Sequence, residues 1–282
     1  MRLTVHYATL YEYEEPARHI VQLLRVTPQS FAGQNVLDWR IDVDSDVRLR
    51  AGRDGFGNLT NMLYVDRPVE RLKLTVTGNV LTQDMAGVVQ GLAGELPPLV
   101  FLRSTAMTAP SPALAALAAE VDGQGKGALD KLHRLTAAIH GGMQFETEST
   151  AVDTPATAAL EAGHGVCQDF THIFIAAARL LGIPARYVSG HLFRRDGAHS
   201  QEAAHAWAEG WVEDLGWVGF DPANGMSPDD AYIRVAAGLD YRGAAPTAGA
   251  RSGGGAEALS VEVEVLKARQ KGQFQSQSQV QS

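Results

Sequence analysis

The one cysteine of this 282-residue chain, Cys167, follows Gly163-His164-Gly165-Val166 and opens a run of apolar residues at helical spacing. Glycines ahead of a nucleophile let a substrate approach the backbone closely. A helix N-terminus adds unpaired N–H groups and the positive end of the helix dipole, and both favour a thiolate, the reactive form of the side chain. The same N–H groups can receive the oxyanion of an acyl-transfer intermediate. A lone cysteine is also a common core residue, so the chemistry depends on partners later in the chain. His205 lies in Ala204-His205-Ala206-Trp207-Ala208-Glu209, at the start of a strand-like segment. Asp221 lies in Gly219-Phe220-Asp221-Pro222, at the end of the next one. Two adjacent antiparallel strands can set a carboxylate beside an imidazole, where it fixes the tautomer and stabilises the imidazolium. Cys167, His205 and Asp221 are therefore expected to act as nucleophile, base and orienting acid.

These side chains need a helix and a sheet to hold them. The helix is expected to begin near Val166, with Phe170, Ile173, Phe174, Ala177 and Leu181 as its buried stripe, and to end at Gly182-Ile183-Pro184. Three strands come next, at 186–193, 205–212 and 216–220, separated by polar or glycine-rich turns. Upstream, Ser111 has the chemistry of an N-cap and Pro112 suits a first helical turn. The Ala/Leu run after them stops in the glycine-rich stretch 122–127. A second helix is expected over 128–140, with Leu129, Leu132, Leu135 and Ile139 on one face and Gly141-Gly142 as its stop. A short helix is expected at 156–160. The first hundred residues read as strands instead. Leu3, Val5 and Tyr7 alternate with polar residues, as do Trp39, Ile41 and Val43, and Leu72, Leu74 and Val76. Asp54-Gly55-Phe56-Gly57-Asn58 reads as a turn ahead of an apolar segment at 62–65. Gly253-Gly254-Gly255 reads as flexible. Val261, Val263 and Val265, alternating with Glu262 and Glu264, predict one last strand. The fold class is thus α+β, divided as a β-sandwich-like region 1–100, a catalytic core 101–270 and a Gln/Ser-rich tail 271–282 expected to be disordered.

The motifs resemble a known family. Gly165-Val166-Cys167-Gln168-Asp169-Phe170-Thr171-His172 is similar to the nucleophile motif of bacterial transglutaminase-like proteins, and Gly182-Ile183-Pro184-Ala185-Arg186-Tyr187-Val188-Ser189-Gly190 to the stretch after it. His205-Ala206-Trp207 and Gly216-Trp217-Val218-Gly219-Phe220-Asp221-Pro222 resemble the family's His and Asp motifs, in the expected order. Tyr11-Glu12-Tyr13, Arg25-Val26-Thr27-Pro28 and the 54–58 turn carry a weaker similarity to the β-rich region that precedes the core in this group. The resemblance implies a papain-like transglutaminase core that works through a thioester, with Cys167 as nucleophile, His205 as base and Asp221 as its acid. The chain departs from the animal enzymes, which use a tryptophan upstream of the nucleophile to help hold the oxyanion. No tryptophan lies between Trp39 and Cys167, and the nearest comparable stretch offers the amide of Gln144. Leu239 also stands where the family often has arginine.

Other residues near these motifs are candidates for the same site. Gln168 suits oxyanion assistance, Asp169 complements the helix dipole, and Trp207 suits the cleft wall, being two residues from His205 on the same strand face. His172 reads as a helix-face residue that packs or donates a hydrogen bond, and His191 and His199 as solvated strand-end and loop residues. His164, Cys167 and His172 lack the second ligand pair that a zinc site needs. No acidic loop has EF-hand spacing, so neither metal nor cofactor is expected. The formal net charge of −8, with no basic stripe, argues against nucleic acid as a partner. No apolar run is long enough to span a bilayer, and residues 1–7 alternate like a strand rather than a secretory signal. A cytoplasmic protein with a peptide or protein substrate is the expectation. The expected activity is a peptidase or amidase. Amine transfer to a glutamine side chain, or a peptide-binding module without turnover, are the alternatives, since hydrolysis and transfer share the first half-reaction.

Overall fold

The computed structural model describes residues 1–268, apart from 124–125, 148, 198–199 and 202. The tail expected to be disordered and His199 lie outside the described residues. The first sheet is built on β1 (Arg2–Leu24). Its Leu3, Val5, Tyr7, Tyr11 and Tyr13 are buried and alternate with more exposed neighbours, the period of a strand with one face in a core. β1 runs far beyond the alternation visible at Leu3, Val5 and Tyr7 because partners line both of its edges. β5 (Val69–Thr82) and then β4 (Leu59–Val65) follow one edge. β15 (Glu257–Lys267) and then β14 (Thr247–Gly253) follow the other. β2 (Gln34–Val43) extends the sheet from β5, β3 (Arg48–Arg53) from β4, and β10 (Ser200–Gln201) from β15.

The second sheet has the order β13 (Tyr232–Gly238), β9 (Ala185–Leu192), β11 (His205–Val212), β12 (Gly216–Phe220) and β6 (Val88–Val89), all antiparallel. The three expected strands are here within a residue of their expected bounds. The strand pairing crosses residue 100 in both directions. β6, from the region expected to be a separate β-unit, edges the core sheet against β12, while β14 and β15 complete the first sheet. An unpaired edge strand exposes a row of N–H and C=O groups, and each sheet covers part of its edge with a strand from the distant half of the chain.

Helices α1 (Pro112–Asp122), α2 (Gly127–Gly142), α3 (Ala156–Ala162) and α4 (Cys167–Leu180) occur where the apolar spacing placed them, and the Ser111 hydroxyl accepts from Leu114 N–H at 3.3 Å. A short α5 (Tyr241–Ala244) follows β13. α4 is not amphipathic in its setting: every residue from Asp169 to Arg179 is buried, because α1, α2 and α3 cover the side that the sheet leaves open. The single stripe read from the sequence therefore understates its burial. Against the sheet, α4 packs on β11. Phe174, two turns after Cys167, stacks on Phe220 at 5.4 Å. That ring contact ties the helix carrying the cysteine to the strand that ends at Asp221.

Two histidines expected near solvent or on a helix face are buried. His191 sits on β9 between the sheets, with its ring 6.0 Å from that of Tyr7 and 6.3 Å from that of Trp39. His172 is fully buried, and its Nε2 accepts from Tyr241 N–H at 3.1 Å instead of donating. Burial pushes both rings down to about 4 from the ordinary 6.5. The unfolded chain therefore takes up these protons first. Their contribution to stability is present above pH 6.5 and is lost as the pH falls from 6.5 towards 4, on the order of 3 kcal/mol for each ring. The urea midpoint should fall over that interval, and His191→Phe should flatten the slope. An unchanged slope in the variant would contradict the assignment.

Candidate active site

The helix that carries Cys167 is anchored at its first turn. Val166, extended at φ −104° and ψ 176°, is the N-cap residue. Its N–H donates to Asp169 Oδ2 at 2.9 Å, and Thr150 Oγ1 donates to the same oxygen at 2.6 Å. A Cβ at position 165 would stand 2.6 Å from that oxygen, so the close approach of the strand to the helix requires Gly165. Burial raises the Asp169 carboxyl above its ordinary range, against these two hydrogen bonds. Thr171 Oγ1 donates to the carbonyl of Cys167 at 2.7 Å. Cys167 itself is half-buried and free. The N–H groups of Cys167 and Gln168, at the start of α4, have no intrahelical carbonyl to meet and are available to a developing oxyanion.

His205 opens β11 opposite Gly190 of β9. The β11–β12 register pairs Ala208 with Phe220, which carries Asp221 to the position facing Trp207, diagonal to His205. Diagonal neighbours in an antiparallel pair are within reach of a long side chain, and His205 Nε2 meets Asp221 Oδ2 at 2.6 Å. Nδ1 is left for Cys167. Asp221 is fully buried. A tight turn over 222–225, closed by backbone hydrogen bonds between Asp221 and Met226, folds back over it. Asp221 Oδ1 accepts from the N–H groups of Ala223 and Asn224 at 3.0 and 3.1 Å. Besides His205, Oδ2 accepts from Asn224 Nδ2 at 2.7 Å and from the Tyr232 hydroxyl at 2.9 Å. Burial works against the charge of Asp221, but His205 and the Asn224 donors outweigh it and hold the carboxyl below its ordinary range. Burial also works against the His205 imidazolium. Attraction and hydrogen bonding from Asp221, joined by Cys167, overcome it and push the ring up to about 10.

Sequence reading missed Asn224 and Tyr232. Asn224 follows Asp221 at the spacing of a turn that folds back on its own acid, and that spacing was a usable signal. Tyr232 opens β13, a strand not read at all. Its hydroxyl draws charge from the carboxylate that holds the imidazolium. Tyr232→Phe should therefore strengthen the grip of Asp221 on His205 and move the imidazole titration further up, by as much as about one unit for a hydrogen bond of about 1 kcal/mol. NMR titration of the His205 ring in the full-length protein measures this. A downward movement would show that Tyr232 does not act through Asp221.

The other candidates occupy different places. Trp207 is buried. Its indole stacks beside His205 at 6.2 Å and meets Tyr232 edge-on at 5.4 Å. A Cβ at Gly190 would stand 2.6 Å from its ring, so glycine there lets the indole lie across the strand. Gln168 donates through Nε2 to the Val152 carbonyl at 2.9 Å and so holds the preceding loop. Gln144 is exposed on β7 (Gln144–Phe145), which pairs in parallel with β8 (His164–Gly165) just ahead of Cys167. A small cavity of about 50 Å³ is lined by Phe31, Gln34, Trp207, Glu209, Tyr232 and Arg234, among others, and neither Cys167 nor His205 lines it. Among the described residues no three His, Cys, Asp or Glu side chains are grouped to hold a metal. Glu209, on the same strand as His205, is fully buried between two guanidinium groups. Its Oε2 accepts from Arg186 Nε at 2.5 Å and its Oε1 from Arg234 Nε at 2.7 Å. Arg186 in turn lies 3.9 Å from the centre of the Trp217 ring.

The comparison with known proteins agrees with this architecture. Residues 115–222 match the core of the transglutaminase-like superfamily, and residues 3–81 match the bacterial transglutaminase-like N-terminal region. An uncharacterized protein of Mycobacterium leprae is 30% identical over 94% of this chain and 99% of its own length. One from Mycobacterium tuberculosis is 28% identical over 88% of this chain and 87% of its own. Among solved structures, a "Putative Cysteine Protease from Cytophaga hutchinsonii" superposes with a TM-score of 0.75 at 22% identity, over 95% of this chain and 92% of that one, which shows a shared fold. The chain belongs to the bacterial transglutaminase-like family, with the β-rich N-terminal region and the transglutaminase-like core both present.

Proposed function

We propose that the chain is a cysteine acyl-transfer enzyme that hydrolyses an amide, with Cys167 as nucleophile, His205 as acid and base, and Asp221 as the acid that orients it. The observation that carries this reading is the 2.6 Å bond from His205 Nε2 to buried Asp221, in a ring whose charge is also favoured by Cys167. The thiolate attacks a carboxamide or peptide carbonyl. The oxyanion meets the first N–H groups of α4, and the imidazolium gives its proton to the departing amine. Water, deprotonated by His205, then resolves the thioester. Trp207 and Tyr232 position the imidazole and its acid without touching the substrate. The exposed amide of Gln144, beside the strand that leads to Cys167, is the side chain best placed to add a further oxyanion donor.

Incubating the protein with a glutamine-containing peptide and an excess of primary amine tests the reading. Free acid or a cleaved peptide is the expected product. A product carrying the amine would make the enzyme a transferase. Slow iodoacetamide labelling of Cys167 that is unaffected by His205→Ala would sink the triad altogether.

A further inference from the structure

The turn over 222–225 holds Asp221 on one side and is gripped by α2 on the other. His140 lies in the last turn of that helix. Its Nδ1 stands 3.3 Å from the Pro222 carbonyl oxygen and 3.2 Å from that of Ala223. A carbonyl oxygen only accepts, so Nδ1 carries the proton and shares it between the two. Among the described residues no other donor meets either carbonyl. The ring fits closely against the turn: a Cβ at Gly225 would stand 2.7 Å from its Cδ2. Two helical turns earlier on the same face of α2, the His133 ring meets Phe220 edge-on at 5.1 Å. The helix therefore touches the chain on both sides of Asp221.

The Pro222 carbonyl and the Ala223 N–H are opposite ends of one planar peptide group, and the Ala223 carbonyl and the Asn224 N–H are opposite ends of the next. The N–H ends of these same two groups donate to Asp221 Oδ1 at 3.0 and 3.1 Å. One ring N–H thus reaches the buried carboxylate along two short chains, from imidazole to carbonyl and from the paired N–H to Oδ1. Holding both ends of a rigid plane fixes its tilt. A donor on the carbonyl also draws charge toward that end and strengthens the N–H at the other as a donor.

We infer that His140 is a positioning residue of the proposed catalytic site, which acts through the 222–223 and 223–224 peptide groups to set how firmly Asp221 Oδ1 is held and how much of that carboxylate's charge is left for His205. Its catalytic meaning rests on the acyl-transfer reading above, whereas the relay ends at His205 and is read there.

The test is NMR titration of the His205 ring in the full-length protein, with His140→Ala and His140→Asn beside the wild type. Without the ring donor, the Ala223 and Asn224 N–H groups bind Oδ1 less well, while Asn224 Nδ2 and the Tyr232 hydroxyl keep Oδ2 in place. More charge stays on the carboxylate, and the His205 titration should rise by about half a unit in His140→Ala. An asparagine amide can set an N–H where Nδ1 stands, so His140→Asn should keep the wild-type titration. His140 is exposed, so neither change opens a cavity in the core. A purely structural role would lower the Tm of His140→Ala and leave the titration where it was. A His205 titration that is unmoved or lowered in His140→Ala, or that moves equally in both variants, would overturn the inference. Iodoacetamide labelling of Cys167 in the same samples, beside His205→Ala, separates the two levels. Labelling indifferent to His205→Ala, with the titration still raised in His140→Ala, rejects the acyl-transfer reading and upholds the relay. An unmoved titration with His205-dependent labelling rejects the relay alone.

Discussion

Acylation of Cys167 by an amide substrate should fall by roughly 10²- to 10⁴-fold in His205→Ala, the usual contribution of a positioned acid–base group, and should vanish in Cys167→Ala. An imidazole this enclosed would ordinarily stay neutral, yet Asp221 and Cys167 together hold its proton up to about pH 10. At neutral pH the ring is therefore an imidazolium, able to protonate a leaving amine. The same shift makes a stability claim with a definite sign. A base whose folded value is raised stabilises the fold fully below its ordinary 6.5, and that contribution is lost as the pH rises through about 10. Wild-type protein should lose resistance to urea progressively as the pH rises from 6.5 to about 10, while His205→Ala, lacking the proton to lose, should show a flatter slope over that interval. Activity that survives His205→Ala within a few-fold would remove the histidine from the mechanism.

Glu209→Ala should be the most damaging single change to the fold, at about 3–5 kcal/mol, the range found when one member of a buried ion pair is removed. Neither Arg186 nor Arg234 can follow the lost charge into water, since both are almost wholly buried. Burial opposes the charge on Glu209 as well, but the two guanidinium groups outweigh it and hold the carboxyl down to about 2. A loss of that size should lower the Tm by about 10 °C in a chain of this length. Circular-dichroism melting of Glu209→Ala beside the Glu209→Ala/Arg234→Met pair measures it, and the second change should recover part of the loss by removing the guanidinium that Glu209 had paired. A melt within two or so degrees of wild type would mean that the network contributes little.

Much of the site was legible in the sequence because its parts are local. A glycine-rich approach, a helix start and the strand pair around His205 and Asp221 each sit within a few residues of their signals. Asp169 was legible as a first-turn acid, but its burial was not, since that depends on Thr150 and on the packing of Gly165. Trp207 was placed on the correct strand, but its burial was not legible, because exposure is decided by Tyr232 and Gly190 on other strands. His191 was misread for the same reason: its strand end is covered by Tyr7 and Trp39 of the first sheet. The extent of β1 and the destination of β15 depend on partners more than two hundred residues away, and local alternation carries no record of them.

The pairing of Leu3 with Lys267 also bears on how the molecule can be made. On a ribosome the amino-terminal strand emerges first, yet its full hydrogen-bonding complement arrives only with residues near 260. Closing so large a loop is slow, and chains released or cut before that point carry an open, valine- and tyrosine-rich edge exposed to neighbours. Truncation within 257–267 should therefore yield aggregated material instead of a smaller active enzyme.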